Sequence, residues 1–112
     1  MKRKRYSNVL GCSVEVTLDL LSGRWKGATL YHLLDAGCLR FNEIHRRLPG
    51  VTPRLLTKQL RELEESGLVE RTVYAEMPPR VEYRATEEGK SLQPVLDMLA
   101  KWGDARLARQ HS

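Results

Sequence analysis

Between the break at Pro49-Gly50 and the stop at Gly67, residues 53–65 read as a helix with two opposed sides. Thr52 supplies a capping hydroxyl, and Pro53 suits the first helical position, where a missing N–H costs nothing. At about 100° per residue, Leu56, Leu60 and Leu63 cluster on one side with Leu55 at the border. Arg54, Thr57, Lys58 and Arg61 fall on the opposite side. Glu62, Glu64 and Glu65 crowd the far end, so the exposed side is basic at its start and acidic at its finish. Such a helix must be anchored by a core along one side and offers anions a surface along the other.

The core is available. Apolar residues make up 41% of the chain and charged ones 29%, which excludes a disordered class, and 112 residues suit one domain. With one Phe, two Trp and four Tyr, that core must be aliphatic. No apolar run approaches the roughly 18 residues of a membrane span, so no membrane partner is expected. The basic start, Lys2 to Arg5, lacks the apolar stretch of a secretory signal. Two cysteines, Cys12 and Cys38, are too few for a disulfide scaffold, and the expected compartment is the reducing cytoplasm.

Charge points to a partner. The formal net charge is +5 and the isoelectric point about 9.5, a balance for which nucleic acid is the natural partner. The bases are clustered: residues 40–61 hold Arg40, Arg46, Arg47, Arg54, Lys58 and Arg61 against Glu43 alone, whereas residues 62–112 are mildly acidic. One face is thus suited to phosphates.

Around the polarised helix the periodicities predict further elements. Val14, Leu18 and Leu21 mark a short helix over residues 13–22. Trp25, Leu30, Leu33 and Leu34 mark a second over 24–36, stopped by Gly37. Cys38-Leu39-Arg40 is an extended link, and Phe41, Ile44 and Leu48 give a third helix of two turns. After Gly67, two strand-like runs, Leu68–Tyr74 and Arg80–Ala85, flank a proline-rich turn and form a hairpin. Thr86 then caps a last helix carrying Leu92, Leu96, Leu99 and Trp102, with a bend expected at Pro94 unless the helix starts later.

Short helices, a tight turn, a basic-faced helix and a hairpin make a winged helix-turn-helix: mainly α with a small β-hairpin. The major groove admits one helix and displays a readable pattern of donors and acceptors. A helix used there needs an apolar anchor and a side of Arg, Lys and Thr.

Cys12-Ser13-Val14-Glu15-Val16-Thr17-Leu18, Gly23-Arg24-Trp25-Lys26, Arg40-Phe41-Asn42-Glu43-Ile44, Leu60-Arg61-Glu62-Leu63-Glu64, Gly67-Leu68-Val69-Glu70-Arg71 and Pro78-Pro79-Arg80-Val81-Glu82-Tyr83 stand in sequence, followed by Thr86-Glu87-Glu88-Gly89 and Trp102-Gly103. In these pieces the chain resembles the HxlR-type family of bacterial winged-helix transcription regulators. The resemblance implies a homodimer built largely from the first and last helices, a recognition helix at 53–65 and a wing at 73–82. It also implies binding of a pseudo-palindromic double-stranded DNA operator, commonly to regulate neighbouring genes. Its organisation is then a basic arm (1–11), the winged domain with its dimerisation helices (12–103) and a tail or helix end (104–112).

The expected DNA-contacting residues are Arg46, Arg47, Thr52, Arg54, Thr57, Lys58, Arg61 and Arg80. Lys58, Arg46 and Arg47 suit phosphate, Arg54 or Arg61 suits a guanine, and Arg80 suits the backbone or minor groove unless a salt bridge holds it near the hairpin. Some members of the resembled family sense oxidants or electrophiles through a cysteine matching Cys12, which makes Cys12 a candidate redox sensor; the alternative is a packing role near the dimer seam. Cys38 reads as a small buried hydrophobe. Trp25, Tyr31 and Trp102 suit core or interface anchors, or the lining of a small-molecule effector pocket between subunits. The spacing of His32, His45 and His111 matches no metal pattern, and no cofactor is expected. No phosphate loop, nucleophile elbow or convergent acid pair suggests an enzyme. The competing reading is a winged-helix protein–protein interaction module whose basic face is incidental.

Overall fold

The computed structural model describes residues 11–111. The elements run α1 (Cys12–Leu20), α2 (Lys26–Ala36), α3 (Phe41–Arg47), α4 (Pro53–Glu65), β1 (Val69–Tyr74), β2 (Arg80–Ala85), α5 (Glu87–Ser91) and α6 (Gln93–Gln110). The predicted basic arm lies outside the described residues except for Gly11.

Each boundary of α4 has a local cause. The Leu55 amide donates to Thr52 Oγ1 at 3.1 Å, and Pro53 opens the helix. At the other end Gly67 turns left-handed, with φ +78°. The Leu68 amide then reaches back to the Leu63 carbonyl and the Gly67 amide to that of Glu64, both at 3.0 Å. This Schellman stop places Leu68 beside Leu63, and both are buried.

The core is leucine-rich, as the composition requires. Leu30 and Leu33 of α2, Ile44 of α3, Leu56, Leu60 and Leu63 of α4, and Leu68 are all essentially inaccessible. β1 and β2 pair antiparallel from Val69↔Ala85 to Tyr74↔Arg80. The extended link before α3 joins them: Leu39 and Tyr83 exchange backbone hydrogen bonds of 3.0 and 2.8 Å. A mainly helical chain with a two-stranded wing after its helix-turn-helix is a winged helix-turn-helix.

The far segment divides instead of bending. Thr86 caps α5 through the Gly89 amide, the chain breaks at Leu92, and α6 starts afresh with Pro94 in its first turn. An uninterrupted helix would press the proline ring against the carbonyl four residues back and lose a hydrogen bond. α6 continues to Gln110. Neither α1 nor most of α6 is covered: α1 buries no residue, α6 buries only Leu96, and Trp102 is 65% exposed. No described helix is long and apolar enough to cross a membrane.

Candidate nucleic-acid interface

The apolar side of α4 is fixed by Leu56, Leu60 and Leu63, and the polar side follows by rotation. Arg54, Thr57, Lys58 and Arg61 are all exposed. With Thr52 and Leu55 they line one open depression along the helix. Thr57 keeps its hydroxyl on its own helix, donating to the Pro53 carbonyl at 2.8 Å.

Ionic partners divide the bases into two groups. Among the described residues Arg46, Arg54, Lys58 and Arg61 hold no ion pair. Other bases are engaged. The predicted site residue Arg47 turns back to α2, 3.0 Å from Asp35. Arg80 sits under the wing, 3.4 Å from Glu76, 3.9 Å from Glu82 and stacked 4.1 Å over the Tyr74 ring. The tip beyond it carries Met77, fully in solvent. Arg46 lies apart from the α4 group, in a depression shared with Cys38, Arg40, Asn42, Glu43 and Glu82.

Two contacts, one on either side, tie α4 and the turn before it to the rest of the fold. Lys26, buried at the start of α2, places its ammonium 2.7 Å from Glu62. That hydrogen bond, aided by the charges of Lys26 and Lys58, keeps the Glu62 carboxyl below the usual carboxylate range although burial opposes it. In front, the Nε2 of His45 lies 2.8 Å from the Val51 carbonyl and ties α3 to the turn before α4. Periodicity gave no sign of the buried Lys26 or of the buried Gln59 on α4.

The thiols differ. Cys12 is the first residue of α1, half-buried. Cys38 corrects the expectation of a small buried hydrophobe: it too is half-buried, with polar neighbours, because the link to α3 runs along the hairpin edge. Burial and the adjacent Glu82 raise its pKa above the ordinary thiol value, while Arg84 works against them. Among the described residues no group of three potential metal ligands occurs. Tyr31 and Trp102 are exposed in the single chain, and Trp25 packs against the core.

The helix-turn-helix family model described as HxlR-like matches residues 20–111. The chain is 49% identical over 104 residues to YybR, an HTH-type transcriptional regulator of Bacillus subtilis strain 168, covering 93% of this chain and 82% of that protein. The solved structure of the redox regulator HypR in its reduced form superposes with a TM-score of 0.82 at 46% identity, over 88% of this chain and 97% of that one. Its oxidised form gives a TM-score of 0.79 at 50% identity, over 84% and 96% of the two chains. By its exposed basic helix, its wing and this match along most of its length, the chain belongs to the HxlR-like helix-turn-helix family of DNA-binding transcription regulators.

Proposed function

We propose that the chain acts in the cytoplasm as a homodimer that binds a pseudo-palindromic operator and regulates transcription without catalysing a reaction. The observation that carries this reading is the row of cations on α4 that hold no ion pair among the described residues. Arg54, Lys58 and Arg61 remain open along a helix whose other side is locked into the core. Unpaired guanidinium and ammonium groups displace counterions from phosphate and reach base edges at no cost in broken ion pairs. Lys58 and Arg46 meet phosphate, Arg54 reads a base, and Thr52 and Thr57 border the same surface. Arg47 and Arg80 contribute by exchanging a carboxylate for a phosphate.

Dimerisation follows from the uncovered apolar surface. Val14 and Leu18 of α1, and Met98, Leu99 and Trp102 of α6, are each at least half exposed. An apolar face of that kind calls for a partner, and a twofold dimer would place two α4 helices about one helical turn apart on DNA. Cys12 begins α1 and so lies beside that face. The redox-regulator neighbour supports oxidant control through Cys12, in which oxidation at the seam changes the angle between subunits and releases DNA.

Substitution of Arg54 by alanine tests the reading. The expected result is a loss of preference for the operator of about 1–3 kcal/mol at one base position. A Lys58→Ala variant should weaken binding to every sequence alike. Unchanged affinity in both variants would show that another face meets DNA. Peroxide should release DNA from the wild type and leave a Cys12→Ser variant bound; equal release from both removes Cys12 as sensor.

A further inference from the structure

The base of the hairpin carries a cation outside the recognition helix. In the ladder Arg71 stands opposite Tyr83, so both side chains rise from one face of the hairpin. Val69 and Val73 occupy the same face, two residues to either side, and Arg71 is the charged member of that row. Tyr83 is buried, while Arg71 is exposed. With Thr57, Arg61 and Glu64 of α4 the two line a single open depression. Thr57 and Arg61 also border the depression along the reading face. Arg61 therefore stands on the ridge between the two.

Among the described residues neither Arg61 nor Arg71 forms an ion pair, although Glu64 lines the same depression. Two like charges facing one concavity raise each other's free energy, and an anion between them lowers it. A phosphodiester offers one negative charge and two free oxygens, one for each guanidinium. A strand running from a groove that held α4 toward the wing would pass over this point. Glu64 opposes a second phosphate there.

We propose that Arg61 and Arg71 clamp one DNA backbone phosphate between the recognition helix and the wing. Arg61 then positions the protein, and base reading falls to the Arg54 end of α4. The inference rests on the DNA-binding reading above.

The test is fluorescence anisotropy of wild type, Arg61→Ala, Arg71→Ala and the double variant. Each is titrated onto the protein's own upstream DNA and onto scrambled DNA of equal length, at several salt concentrations. Each single variant weakens binding to both DNAs by the same factor, about tenfold, and leaves the preference between them intact. The salt slope falls by about two for the dimer, one phosphate per subunit. The double variant loses less than the product of the two, because the residues share a phosphate. Arg71→Lys recovers part of the affinity, and circular dichroism melting shows each variant folded.

Wild-type affinity and salt slope in folded Arg71→Ala overturn the clamp. So does an Arg61→Ala variant that loses preference for the upstream fragment with its salt slope unchanged, since Arg61 would then read a base. Absence of DNA binding by the wild type itself defeats the proposed function, and the clamp falls with it.

Discussion

Replacing Glu62 by alanine should destabilise the fold far more than replacing Lys26 by methionine, although both remove the same ion pair. Lys26 is only 3% exposed, and its ammonium lies 2.7 Å from Glu62. Among the described residues no other carboxylate is within ion-pair range of it. Removing one partner of a fully buried pair costs about 3–5 kcal/mol, because the other charge is left desolvated. The Glu62 side chain keeps 26% of its surface exposed, so water reaches that end and about 2–4 kcal/mol is expected. Lys26→Met keeps the aliphatic stem, removes the desolvated charge and leaves Glu62 near water. Its stability should stay within about 1 kcal/mol of wild type. Urea unfolding at fixed protein concentration measures both, since association adds to apparent stability. Equal destabilisation by the two changes, or a negligible effect of Glu62→Ala, would refute the argument that the unpaired buried ammonium is what costs.

The same pair sets a pH dependence. Because Glu62 titrates below the usual carboxylate range, its contribution is complete above the unfolded value of about 4.3. It is lost as pH falls through the lower folded value. Acid unfolding curves should therefore be flatter for Glu62→Gln than for wild type. Gly89→Ala should lower stability by about 3 kcal/mol or more in the same urea assay. A methyl group there would lie 2.1 Å from the Leu68 carbonyl oxygen, which is already fixed by the Thr86 amide at 3.0 Å. Thr52→Ala removes the α4 cap and should cost about 1 kcal/mol, read as a lowered melting temperature. Trp102→Glu places a charge on the uncovered face of α6 and, on the proposed function, should convert the proposed dimer to monomer in sedimentation, with DNA affinity falling in parallel.

The parts of the fold legible from sequence are those written in short-range periodicity. α4 was readable because its cap, its proline, its leucine spacing and its terminal glycine agree. The hairpin was readable because Val81, Tyr83 and Ala85 alternate with charged residues and prolines interrupt the turn. Long-range pairing was not. Nothing local indicates that Lys26 meets Glu62, that Leu39 pairs with Tyr83, or that Arg47 turns to Asp35. Arg80 begins β2, where the alternation of the hairpin puts it, but its pairing with Glu76 and Glu82 and its stacking on Tyr74 depend on how the hairpin closes. Arg71 had a usable signal, a charge between two valines on the row of β1 that pairs opposite Tyr83. The net acidity of residues 62–112 masks it, because of the ten carboxylates there only Glu64 lines the depression that Arg71 lines.

The most direct test of the account is anisotropy of the purified wild-type protein on its own upstream intergenic DNA, against scrambled DNA of equal length. The account predicts tighter binding to the upstream fragment at physiological salt, with affinity for both DNAs falling steeply as salt rises. Failure to bind either DNA would contradict it and leave the basic face of α4 without the role assigned to it.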